Sequence, residues 1–207
     1  MLGAVLIAPV LPRMRDAFAS VSGVDVLVPV TLTIPALFIA VAAPFAGALI
    51  DRVDRKGVLT VALIAYAVAG TAPLYLASLP AIMISRAVVG VCEAAIITCS
   101  TTLIGDYWSG ARRTRYLSLQ TMVTALAATV FLALGGALGT SGWRTPFLLC
   151  GVALLLAPLA AVLIRQPTRP ARPRSGRRLE PLPWRQMLRL CLVTLVGSVV
   201  FYVLIVL

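Results

Sequence analysis

Residues 26–50 carry no charged side chain, and the next six positions carry five: Asp51, Arg52, Asp54, Arg55 and Lys56. A second uncharged run follows, from Gly57 to Ser85. Ionised groups are expensive at the centre of a bilayer. A charge knot between two runs of this length therefore fits only at a membrane surface, as a tight turn between two spanning helices. A spanning helix needs about 20 apolar residues. The chain offers such stretches near 26–50, 58–77, 81–104, 116–139, 144–164 and 187–207, with a partial one at 1–12. The period-two alternation of a transmembrane barrel is absent. Helices are the remaining solution, because backbone polar groups in lipid must be bonded internally. With 60% of 207 residues hydrophobic and a mean hydropathy of +1.01, a soluble core is excluded. The expected fold is all-α, a polytopic transmembrane helix bundle.

Orientation follows from where the basic residues stand. A net charge of +11 in a soluble protein would point to nucleic acid, but here position matters more than the sum, and no nucleic-acid partner is expected. Cytoplasmic loops are enriched in Lys and Arg. Arg52, Arg55 and Lys56 lie in one loop, Arg112, Arg113 and Arg115 in another, and eight arginines fall between Arg165 and Arg189. The alternate loops hold only Arg13, Arg15 and Arg144. The basic loops are thus read as cytoplasmic, in a plasma or inner cell membrane, and the short first helix as running outward.

At the start, Ala17-Phe18-Ala19 has the form of a signal-peptidase site, yet Arg13, Arg15 and Asp16 interrupt the region where a signal is uncharged. The chain is instead read as beginning inside a first helix. Residues 165–186, rich in proline and arginine and without apolar period, read as an extended cytoplasmic linker whose charge lies against anionic lipid. Trp184 suits an interfacial anchor. The expected organisation is a bundle over 1–164, the linker over 165–186 and a seventh helix over 187–207.

Several chemistries are excluded. There is no histidine, and Cys92, Cys99, Cys150 and Cys191 lie singly in apolar spans without metal-ligand or redox spacing. Without histidine or paired acids in the spans, no constellation for hydrolysis or metal chemistry is present. No metal, cofactor, nucleotide-binding loop or enzymatic activity is expected.

The run Gly47-Ala48-Leu49-Ile50-Asp51-Arg52-Val53-Asp54-Arg55-Lys56 resembles motif A of the major facilitator superfamily, Gly-x-Leu-x-Asp-Arg-x-Gly-Arg-Lys. Gly47, Leu49, Asp51, Arg52, Arg55 and Lys56 match in order and spacing, with Asp54 where the pattern has glycine. The resemblance implies that Asp51 faces the N-terminal end of a helix in a second bundle, where a helix dipole favours a carboxylate. It also implies that Arg55 pairs with Asp106 at the end of helix four. The alternative is that these charges only keep a turn in water and set topology.

Helix four adds Arg86-Ala87-Val88-Val89-Gly90-Val91-Cys92-Glu93-Ala94, similar to the family's Arg-x-x-x-Gly-x-x-x-Ala, with Gly90 and Ala94 forming a small-residue packing face. Arg86 and Glu93 are the charges inside the spans, seven residues and so about 10 Å apart on one helix face. Intramembrane ionisable groups usually serve function. Glu93 is a candidate to bind a proton or a cationic substrate; the plainer reading makes it a structural partner of Arg86 or of another helix. Gly142-Trp143-Arg144-Thr145-Pro146-Phe147 resembles the family's Gly-Trp-Arg-x-x-Phe at the start of helix six. Gly135, Gly136 and Gly139 give helix five a close-packing face. The Gly-Pro-x-x-Gly-Gly pattern of drug–proton antiporters is matched only in its final glycine pair.

Thr31, Gln120 and Thr124, with Thr33, Thr98, Ser100, Thr101 and Thr121, are candidates to line a solute path, although such hydroxyls mostly bond the preceding helical turn. Pro9, Pro35 and Pro44 are placed to bend their helices. The resemblance implies the N-terminal half of a secondary transporter that moves a small solute by alternating access, often with protons. On this reading the C-terminal bundle is missing from the chain. A parallel homodimer would recreate the two-bundle symmetry. A non-transporting membrane scaffold or regulatory subunit derived from a transporter is the alternative.

Overall fold

The computed structural model describes residues 6–50 and 53–164, with Leu192 and Val196 as isolated helical positions. The sequence expectations for Asp51, Arg52, Cys191, the 165–186 linker and most of the seventh helix lie outside these residues. The chain divides into two units, Met1–Pro167 and Thr168–Leu207, and the helices of the bundle belong to the first. A 3-10 turn at Ala8–Val10 leads into α1, Leu11–Ala17. Then come α2, Val24–Ile50; α3, Arg55–Thr71, extended by a 3-10 turn at Ala72–Leu74; and α4, Leu79–Tyr107. The series ends with α5, Gly110–Gly139, and α6, Val152–Leu163, preceded by a 3-10 stretch at Thr145–Gly151. Five of these helical segments are long and apolar enough to span a membrane, and no strand occurs among the described residues.

The apolar runs locate the helices, but their ends differ from the sequence expectation in an instructive way. The basic stretch expected as a loop over 105–115 is almost all helix: only Trp108 and Ser109 separate α4 from α5. Likewise Arg13, Arg15 and Asp16 belong to α1, and Arg55 and Lys56 to the first turn of α3. Arginine and lysine are good helix formers, so the helices continue past the depth at which hydropathy falls. Gly110, with φ +57, lets the backbone reverse between α4 and α5 where a Cβ would be strained. Three prolines, Pro29, Pro35 and Pro44, sit inside a continuous α2.

α4 is the central post, packing against α2 on one side and α3 on the other. Three apolar clusters run along it. At one end Met14, Phe18 and Val28 meet Leu79 and Ile82, with Trp143 against them. In the middle Leu6, Tyr66 and Ala67 pack with Val89, Cys92, Cys150 and Ala153. At the other end Ala46, Ile50 and Leu59 close on Cys99 and Leu103. The α2–α4 approach depends on Gly90: a Cβ there would lie 2.5 Å from the Pro35 carbonyl oxygen and 2.9 Å from the Pro35 Cα. α5 stands apart, with only Gly135 and Gly139 buried. Their lack of side chains admits residues 6–10; a Cβ on Gly139 would come within 2.6 Å of Val10 Cγ1.

Candidate functional site

Two charged sites sit on α4, one at its end and one in its middle. The end site joins α3 to α4. Arg55, buried in the first turn of α3, forms an ion pair with Asp106 in the last turn of α4 and donates from Nη1 to the Thr102 carbonyl at 3.4 Å. α3 starts where it does because Asp54 caps it: its carboxylate accepts from the backbone amides of Lys56 (3.2 Å) and Gly57 (3.3 Å). Asp54 has φ −62 and ψ 114, an extended conformation that needs no glycine. Gly47 is half-buried with open space where a Cβ would project, and Leu49 is 51% exposed. Lys56 is half-buried. Gly47 and Leu49 thus present an open flank near the end of α2.

The middle site is built around Arg86, which is 0% exposed. Its Nη2 donates to the carbonyls of Ala69 (3.2 Å) and Gly70 (3.1 Å), near the end of α3. Pro73 explains the first of these. In a continuing helix the amide at position 73 would return to the carbonyl of Ala69, and proline has no N–H. Arg86 supplies that donor from the neighbouring helix. Its guanidinium also lies over the Phe147 ring, 5.1 Å from the centroid. Gly70 allows this closeness, since a Cβ there would meet the Cys150 Cβ at 2.6 Å. Arg86 therefore ties α3, α4 and the 3-10 stretch before α6 together.

Cys150, Tyr66 and Glu93 stand within electrostatic range of Arg86. Glu93 is buried on α4, 5% exposed, two turns beyond Arg86. Among the described residues the Nε and Nη1 of Arg86 reach no oxygen acceptor. Sequence reasoning placed Arg86 and Glu93 on one face, but it did not single out Tyr66 or the Ala69 and Gly70 carbonyls. Pro73 was the available signal.

The candidate path residues lie on α2, α4 and α5. Thr31 is fully buried on α2, its hydroxyl donating to the Val28 carbonyl at 2.6 Å. On α5, Gln120 is half-buried and Thr124 exposed, the Thr124 hydroxyl donating to the Gln120 carbonyl at 2.8 Å. Thr33, Thr98, Ser100, Thr101 and Thr121 also donate to carbonyls three or four residues back. A shallow groove between α3 and α4, lined by Val61, Ile64, Val68 and Val88 among others, is wholly apolar and offers no chemistry. No group of three or more metal-ligating side chains occurs among the described residues.

The family model described as Major Facilitator Superfamily matches residues 1–207. A tetracycline resistance protein, class H, from Pasteurella multocida is 26% identical over 167 residues, covering 81% of this chain and 42% of the relative. A protein spinster homolog 3 from Danio rerio is 30% identical over 146 residues, covering 67% of this chain and 29% of the relative. The matches thus span less than half the length of either relative.

Proposed function

Because the chain belongs to the major facilitator superfamily, we propose that it supplies one helix bundle of a secondary transporter that moves a small solute by alternating access, coupled to protons. The observation that carries this reading is the middle site. A buried guanidinium and a buried carboxyl on one helix are a poor way to stabilise a membrane core, since charged groups there carry a desolvation cost. Charges kept at such a cost fit a group that exchanges a proton or meets a charged solute. Glu93 is the proposed carrier. Arg86, fixed by α3 and Phe147, is the positive charge on the same helix that would offset the carboxyl when it is ionised.

The end site fits a gate. Arg55–Asp106 fastens the α2–α3 turn to the end of α4, which would hold Asp51 at the rim where a second bundle closes. That C-terminal bundle is part of the proposal, as are the cytoplasmic placement of this end and of residues 165–186, the division at 164 and 186, and a location in the cell membrane. The bilayer and protons complete the partners.

The test is flux in proteoliposomes. Under an imposed pH gradient, solute addition should release protons from vesicles holding the protein, and Glu93→Gln should abolish that coupling. Tetracycline, the compound in one relative's name, is the first solute to try. Solute movement whose pH dependence survives Glu93→Gln would remove the carboxyl from the mechanism. Absence of flux for every solute and gradient would favour a non-transporting scaffold.

A further inference from the structure

The α4–α5 corner carries a feature that the proposed transport reading leaves aside. Arg112, Arg113 and Arg115 are all exposed on the first turns of α5. None of them makes an ion pair among the described residues. The acid at that end of α4, Asp106, is taken by Arg55, Asp54 is spent on the α3 cap, and the first turn of α5 holds no acid. Three like charges thus share one helix end with no counter-charge among the described residues.

Depth argues for what compensates them. α5 has 30 residues, about 45 Å of helix, against a hydrocarbon layer of about 30 Å. The uncharged stretch 116–139 is already long enough to cross, so residues 110–115 stand among the headgroups. The corner is also shaped. Trp108 and Tyr116 stack with ring centroids 4.7 Å apart at 19°, and the Arg112 guanidinium lies 5.9 Å above Trp108. Arg113 lies against Gly105, where a Cβ would sit 3.3 Å from its Cζ; the glycine leaves the guanidinium its place. An aromatic shelf at the interface beneath forked donors suits a phosphodiester, since guanidinium matches phosphate oxygens two at a time.

We propose that the α4–α5 corner binds the headgroup phosphate of an anionic phospholipid through Arg112, Arg113 and Arg115, above the Trp108–Tyr116 pair. The site is separate from the buried charges of α4 and does not require that the solute be identified.

Native mass spectrometry of the purified full chain tests it, with phosphatidylglycerol or phosphatidylcholine of the same acyl chains added in turn. The unaltered protein should retain phosphatidylglycerol over phosphatidylcholine by about tenfold. The Arg112→Gln/Arg113→Gln/Arg115→Gln variant should lose that preference, and the corresponding triple lysine variant should keep most of it. If circular dichroism shows that the triple glutamine variant has lost helix, Arg112→Gln/Arg115→Gln takes its place and should lower the preference at least threefold. Equal retention of the two lipids by the unaltered protein overturns the proposal. A wild-type preference in a folded glutamine variant also overturns it, because the other basic segments would then be the binders.

Discussion

α4 and α5 are near twins as sequences and opposites as structures. They have 29 and 30 residues and the same mean hydropathy of 1.9 over their most apolar windows. Yet 39% of the α4 window is buried in the bundle against 11% for α5. Hydropathy therefore reports that a helix is suited to the membrane, not how far it is buried within this bundle. What separates the two is where small and charged residues fall. α4 carries Gly90 at its crossing with α2 and two charges at its core. α5 gathers its packing glycines at one end and turns Met122, Val123, Leu126 and Val130 outward.

The most severe test of this contrast is Gly90→Val. The new side chain would strike α2 backbone, which cannot rotate away, so we expect a loss of about 3 kcal/mol or more, seen as reduced thermal stability in detergent by fluorescence-detected chromatography. Arg86→Met comes next. It strands the carbonyls of Ala69 and Gly70, with an expected cost of about 3 kcal/mol in the same assay. Arg86→Lys should recover less than half, since an ammonium cannot reproduce the flat contact with Phe147 while reaching the carbonyls. Gly139→Val on α5 should cost about 1–2 kcal/mol, because the obstacle is the Val10 side chain rather than backbone. Ala125→Leu, on the exposed flank of α5, should change stability by no more than about 0.5 kcal/mol. If Ala125→Leu proved as damaging as Gly90→Val, the distinction between the two helices would collapse.

Much of this was legible in the residues. Uncharged runs located the helices, and the charges at Arg86 and Glu93 marked the core because nothing else in those spans is ionised. Helix ends were less legible: Arg112, Arg113 and Arg115 look like a loop when polarity is the guide, whereas backbone hydrogen bonding continues through them. The Arg55–Asp106 pair could be anticipated only by resemblance, since the partners stand 51 positions apart. Thr31 and Thr124 show the limit of composition, because a hydroxyl in an apolar helix reads the same whether it faces a path or its own backbone. The partners of Arg86 were hidden for a further reason: they are main-chain oxygens, visible in the sequence only through the missing donor at Pro73.

That missing donor bears on how the protein is made. A guanidinium alone in lipid, and a carbonyl there without a donor, are each penalised; joined, they relieve one another. The segments bearing Arg86 and Ala69 are adjacent along the chain and antiparallel, so they gain by leaving the insertion machinery as a couple rather than one after the other. Biogenesis of the bundle is thereby given a pairing step, written into it by a single proline.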